Sequence, residues 1–202
     1  MTDWIIKNWV ELLGNVLAFA NIYLLYRNSV WNWPVGIANC VFYIAMFLPA
    51  KLYADSLLQV VYIGLSVYGW WWWLGGRKHV QEPIRRWRDP GGGPHTYTFA
   101  IAIFIGSFVL MALFLGRFTN SDVPVWDALL TATCFAATYL MAKRRIENWH
   151  VWIASNVGYF ALYAHKQLLI TQWCQIGFLV LSAIGLFHWR GLRCNRLATQ
   201  QP

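Results

Sequence analysis

The sequence predicts an all-α integral membrane protein of seven transmembrane helices, arranged as three, one and three. Three observations lead there. Of the 202 residues, 58% are hydrophobic and only 12% are charged, where a soluble domain carries about 25% charged residues. Apolar runs of spanning length recur seven times along the chain. And the segment from Leu13 to Trp73, moved forward by 116 residues, lands on Leu129 to Trp189 without a gap. In that register Tyr23 meets Tyr139, Asn32-Trp33 meets Asn148-Trp149, and Tyr43 meets Tyr159. Gln59 meets Gln175, Ser66 meets Ser182, Gly69 meets Gly185, and Trp73 meets Trp189. A duplicated three-helix unit in a bilayer is how many transporters are built, with the substrate held where the repeats meet.

The runs fall near 10–27, 33–50, 56–74, 97–116, 126–142, 149–165 and 168–189. Some approach 17 residues, so tilt or local thinning of the bilayer is implied. Pro34, Pro49 and Pro124 stand at run ends, where a missing N–H costs little. No run has a central proline, so unbroken helices are expected. The first run has no cleavage-type region before it and is expected to act as its own insertion signal. The resulting division is a first repeat over 1–74, a linker over 75–96, a single linker helix over 97–116, a second repeat over 117–190, and a tail over 191–202. The linker contains Asp89-Pro90-Gly91-Gly92-Gly93-Pro94 and reads as a flexible cytoplasmic connector. Mean hydropathy is only +0.41, held down by 14 Trp and 10 Tyr, whose rings favour the headgroup zone.

An odd single helix between the halves places both repeats in the membrane the same way up. That is the parallel-repeat, SWEET-like plan, with an axis along the membrane normal. Basic residues then orient it. One side holds Lys7, Lys51, Arg117 and Lys166. The other holds Arg27, Arg77, Lys78, Arg85, Arg86, Arg88, Lys143, Arg144, Arg145, Arg190, Arg193 and Arg196. The bias places the N-terminus outside and the C-terminus in the cytoplasm. It also accounts for the net charge of +8 without a nucleic-acid partner, since the cations are scattered among loops that orient spans.

In lipid, a polar side chain within a span must face protein or water. Trp149, Trp152, Asn156, Tyr159 and Tyr163 recur at steps of three and four, so they share one helix face. Gln59, Tyr62, Ser66, Gly69 and Trp73 do the same in the third run. Gln175, Phe178, Ser182, Gly185 and Trp189 repeat it in the seventh. Ser66, Gly69, Ser182 and Gly185 read as packing positions. Trp73 and Trp189 read as anchors at the membrane interface. The face from Trp149 to Tyr163 is the stronger candidate for substrate, with Gln59 and Gln175 at matched depths. The duplicates Trp33 and Tyr43, and Asn39 one place off register, complete the candidate set. The duplication is broken where it matters: Trp152 corresponds to Gly36, Asn156 to Cys40, and Tyr163 to Phe47. Unequal halves suit an asymmetric ligand. Indoles and phenols suit a flat ring, best a cationic one. Neutral amides both donate and accept, which suits hydroxyls or a carboxamide.

Several chemistries are disfavoured. No Asp or Glu lies deep inside a run; Glu11, Asp55 and Asp127 are at edges. Coupled carriers usually keep such a group, so uncoupled transport is expected. No GxxxxGK[ST] loop exists for ATP. Cys40, Cys134, Cys174 and Cys194 form no CxxC pair and read as small apolar residues. The last run has no lysine for a retinal. No cluster suggests an enzyme, a metal site or a cofactor.

The Trp149-x-x-Trp152-x-x-x-Asn156 motif, the segment Leu52-Tyr53-Ala54-Asp55-Ser56-Leu57-Leu58-Gln59-Val60-Val61-Tyr62, and the Gly69-Trp70 step resemble the PnuC family of bacterial vitamin transporters. The resemblance runs from about Leu13 to Trp189. It implies a homotrimer in the bacterial inner membrane, with one pathway per subunit and nicotinamide riboside as the usual substrate. It implies substrate contacts from Trp149, Trp152, Asn156 and Gln59, and trapping of the nucleoside inside the cell by a separate cytoplasmic kinase. Thiamine, riboflavin and deoxynucleosides are substrates elsewhere in the family, and thiamine fits a cation-seeking aromatic face equally well. A SWEET-like sugar carrier is the more distant alternative, because sugars also stack on Trp.

Overall fold

The computed structural model describes residues 2–47, 53–74, 84–87, 94–118, 123–165 and 169–198. Pro49, Lys51, Leu52, Lys166 and residues 75–83 and 88–93 lie outside them, as do the side chains of Tyr53, Ala54, Asp55 and Arg196. Seven helices are present among the described residues. They are α1 (Thr2–Tyr26), α2 (Asn32–Phe47), α3 (Tyr53–Leu74), α4 (Pro94–Phe118), α5 (Pro124–Ala142), α6 (Glu147–His165) and α7 (Leu169–Ala198). Each of the seven predicted runs falls on one of these helices. Pro94 and Pro124 each open a helix, where a fixed φ is an advantage. Asp127 and Glu147 sit in first turns, against the positive end of the helix dipole. Helix α7 continues past the apolar run to Ala198, because its Arg- and Leu-rich extension keeps good helix formers.

The chain divides into two compact units, Met1–Val80 and Gln81–Pro202. In the first, α2 packs against both α1 and α3. In the second, α4 packs on α5, α5 on α6, and α6 on α7. Helix α5 is the best-covered element. Ala128, Ala132, Ala137 and Ala142 are essentially inaccessible, and such small residues let helix backbones approach closely. Helix α4 is its opposite. It is 25 residues long and apolar, with only 6% of its spanning window buried, and Phe99, Leu110 and Phe118 stand exposed. Three helices among the described residues are long and apolar enough to cross a membrane: Pro94–Phe118, Pro124–Ala142 and Gln172–Asn195. Helix α2 is shorter, with 16 residues, and Val16–Tyr26 of α1 is a further apolar stretch.

The duplication extends to backbone detail. Asn28 and Arg144 stand 116 residues apart and are the non-glycine residues of positive φ among those described, at 56° and 52°. The Asn28 N–H donates to the Leu25 carbonyl at 2.8 Å, and the Arg144 N–H to Met141 at 2.9 Å. Ser29 N–H donates to Leu24 and Arg145 N–H to Leu140, both at 2.9 Å. Asn32 and Trp33 then bond back to Ser29 and Val30, as Asn148 and Trp149 do to Arg145 and Ile146. The α1–α2 and α5–α6 turns are thus the same turn.

Part of the linker departs from expectation. Arg85 pairs with the α5–α6 turn in a short parallel bridge. Its N–H donates to the Arg144 carbonyl at 3.2 Å, and the Ile146 N–H donates to its carbonyl at 3.1 Å. The Trp87 N–H donates to Glu147 Oε1 at 2.8 Å, and the Tyr97 hydroxyl donates to Glu147 Oε2 at 3.1 Å. The Trp87 and Tyr97 rings lie 4.2 Å apart, and Ile84 is buried. Residues 84–87 are therefore docked rather than a free connector: the turn offers unpaired backbone groups that an extended segment can satisfy.

Candidate functional site

The site residues divide between the units. Trp33, Asn39, Tyr43 and Gln59 are in the first; Trp149, Trp152, Asn156, Tyr159, Tyr163 and Gln175 are in the second. Helix α6 carries most of the second set on one face, and no Asp, Glu, Lys or Arg follows Glu147 along it.

Trp149 opens that face and is 1% exposed. Its ring lies over Gly185, so that a β-carbon there would stand 2.3 Å from it. It meets Trp189 edge-on, with centroids 5.5 Å apart at 89°. The first unit repeats the arrangement. Trp33, 1% exposed, covers Gly69 at 2.2 Å and meets Trp73 at 5.5 Å and 85°. Trp73 and Trp189 are therefore not interface anchors. Both are fully buried, because the glycine one turn earlier admits a second indole beside them. Gly69 and Gly185 are packing positions, as predicted.

One turn along from Trp149, Trp152 is half-buried, and its indole N–H is buried with no hydrogen-bond acceptor. The Trp149 indole N–H is in the same state. Such donors are costly in a low-dielectric interior. Asn156 follows, buried, with Nδ2 donating to Ser182 Oγ at 3.2 Å. Ser182 thus does more than ease packing: it orients the carboxamide, whose Oδ1 then acts as an acceptor. Tyr159 pairs with the Thr131 hydroxyl on α5, and its ring stacks on Tyr163 at 5.6 Å and 20°. Gln175, two turns before Ser182 on α7, is buried.

In the first unit, the Tyr43 phenol rests on Gly14, 3.4 Å from where a β-carbon would be. Gln59 is half-buried. Asn39 keeps a buried Oδ1 with no partner. The broken duplication has a steric cause. Asn21 donates through Nδ2 to the Asn32 carbonyl, and that amide lies 2.9 Å from where a Gly36 β-carbon would be. The corresponding residues in the second unit are Ala137 and Trp152. A small residue replaces Asn21 where an indole replaces Gly36.

Sequence reasoning missed the α5 contribution. Thr131 holds Tyr159, and the Cys134 thiol donates to Ser155 Oγ at 3.6 Å. Thr131, Cys134 and Thr138 stand three and four apart on α5, a polar spacing that was legible. Asn32 and Asn148 are fully buried, and Asn148 Nδ2 donates to the Arg145 carbonyl, bracing the turn. Among the described residues, no group of three or more His, Cys, Asp or Glu is placed to hold a metal ion.

The face can therefore offer an aromatic wall, the indole of Trp152 and an oriented carboxamide, all without formal charge. Known proteins resemble the chain along most of its length. Residues 8–191 match the family model described as nicotinamide mononucleotide transporter. The chain is 24% identical over 178 residues to the nicotinamide riboside transporter PnuC of Escherichia coli, covering 78% of this chain and 74% of that one. It is 25% identical over 150 residues to the riboflavin/roseoflavin transporter RibM of Streptomyces davaonensis, covering 72% and 67%. A crystal structure of the vitamin B3 transporter PnuC shares the fold, with a TM-score of 0.71 at 17% identity over 93% of this chain and 83% of that one.

Proposed function

The chain belongs to the nicotinamide mononucleotide transporter family, and from that premise we propose that it carries nicotinamide riboside across the bacterial inner membrane by uncoupled alternating access. The two triple-helix repeats are like-oriented and SWEET-like, with the N-terminus outside and the C-terminus in the cytoplasm. The subunit works within a homotrimer, and a separate cytoplasmic kinase traps the nucleoside by phosphorylation.

The observation that carries this reading is Trp152: a half-buried indole, with an unanswered N–H, one turn from a buried, oriented Asn156. A cationic pyridinium stacks on such a ring with about 0.5–2 kcal/mol, and ribose hydroxyls can answer the indole N–H and the carboxamide oxygen. Trp149 acts as the fixed wall behind Trp152, since Gly185 and Trp189 hold it. Gln175, buried on α7, supplies a further amide. Tyr159 and Tyr163 continue the aromatic surface of the second unit.

Riboflavin is the second reading, favoured by the comparable identity to RibM. It is a neutral flat ring, so the two substrates differ in response to voltage. Uptake of the cation follows the membrane potential, worth about 2.3 kcal/mol per charge per 100 mV, or roughly 50-fold accumulation.

Titration of the purified protein with both vitamins tests the assignment. Trp152→Ala and Asn156→Ala are each expected to weaken nicotinamide riboside binding by about tenfold. In vesicles at about −100 mV inside, the roughly 50-fold accumulation should appear without a sodium or proton gradient. Unchanged affinity in both variants rejects the site, and an absolute requirement for either gradient rejects the uncoupled mechanism.

A further inference from the structure

We infer that the second unit holds a phosphate-binding cleft at the shared end of α6 and α7, separate from the aromatic face and independent of the transport reading. The cleft has a volume of about 540 Å³ and is lined by Arg86, Trp87, Ile146, Glu147, His150, Arg190 and Arg193. That volume is within the range of small-molecule sites, roughly 300–1,000 Å³, and exceeds what a bare oxyanion fills.

Its chemistry is that of an anion host. Three guanidinium groups face one carboxylate. Arg190 and Arg193 are three residues apart on α7 and so project from one face. Arg86 reaches the cleft only because the docked linker segment carries it there. The Glu147 oxygens already accept from the Trp87 N–H and the Tyr97 hydroxyl, which makes that carboxylate part of the wall. Arg190 Nη2 lies 3.1 Å from His150 Nε2. A guanidinium can only donate, so Nε2 is the acceptor and the proton of the neutral ring is on Nδ1. Arg190 Nε is buried with no hydrogen-bond partner. A guanidinium anchored on one side by a neutral ring, with a further donor unspent, suits a tetrahedral oxyanion that accepts several N–H groups at once.

The occupant is a phosphate ester. A soluble organic phosphate and the headgroup of an anionic lipid share this chemistry, and experiment separates them. Thermal unfolding of the full chain in zwitterionic nanodiscs is measured with inorganic phosphate or a nucleoside monophosphate. Chloride at equal ionic strength is the reference. The measurement is repeated in nanodiscs containing anionic phospholipid. A soluble occupant raises the melting temperature above the chloride reference. Its affinity falls about tenfold in the Arg190→Gln/Arg193→Gln variant, as loss of charge-assisted hydrogen bonds requires. A lipid occupant leaves soluble phosphates inert and gives anionic nanodiscs a stabilising effect that the same variant loses. Phosphates that act no differently from chloride, together with anionic lipid that does not stabilise, overturn the proposal. So does stabilisation that persists unchanged in the variant. The comparison of phosphate with chloride uses the unsubstituted protein and stands if the double variant does not fold.

Discussion

Trp149 covers Gly185 so closely that a β-carbon on residue 185 would stand 2.3 Å from the indole. Trp33 and Gly69 repeat the relationship in the other unit at 2.2 Å. Each contact is a knob seated in a hole that only glycine leaves open, and each then places a second indole, Trp189 or Trp73, edge-on to the first.

Gly185→Ala and Gly69→Ala should therefore each destabilise the protein by about 1–3 kcal/mol, the usual cost of overpacking. Gly191 is the control. Nothing lies within 4 Å of its β-position, so Gly191→Ala should raise stability by about 0.5–1 kcal/mol through helix propensity alone. Melting temperatures in one detergent would show opposite signs. Equal shifts for all three variants would contradict the packing account.

The paired turns make a second expectation. Asn28 tolerates its φ of 56° because a short amide side chain suits the left-handed region. Asn28→Gly keeps that conformation without steric cost and should be the milder of two changes. Asn28→Val should cost about 1–2 kcal/mol, since a β-branched residue is a steric outlier there. Chemical denaturation of both variants checks the order; a valine as stable as glycine would refute it.

Glu147 secures the linker. Glu147→Ala removes the acceptor of both the Trp87 N–H and the Tyr97 hydroxyl. Limited trypsin digestion should then cut faster beside Arg85 and Arg86, because proteolysis follows local opening. Glu147→Gln keeps one acceptor oxygen and should fall between. Mass spectrometry of the fragments reads the site of cleavage, and identical rates in all three proteins would show that Glu147 does not hold this segment.

The helices and their order were legible because apolar runs and their breaks are one-dimensional. So was the repeated register: the 116-residue offset predicts which residues recur, and Asn28 and Arg144 recur in backbone conformation as well. The candidate face on α6 was legible as a spacing. Trp73 and Trp189 were not. A Trp at the end of a helix stripe reads the same whether it faces headgroups or a glycine on the next helix. The docking of Arg85 onto the α5–α6 turn was equally hidden, since a Pro- and Gly-rich segment announces no partner.

By itself, then, the sequence determined an all-helical, duplicated membrane protein with a polar aromatic stripe, because burial in lipid constrains composition and periodicity residue by residue. The tertiary structure alone decided which indoles are locked over a glycine, as Trp33 and Trp149 are, and which stays half-exposed, as Trp152 does. It also decided that Arg86 joins Arg190 and Arg193 around one cleft. Those outcomes depend on how helices approach one another and where a linker comes to rest, and spacing along a single chain carries neither.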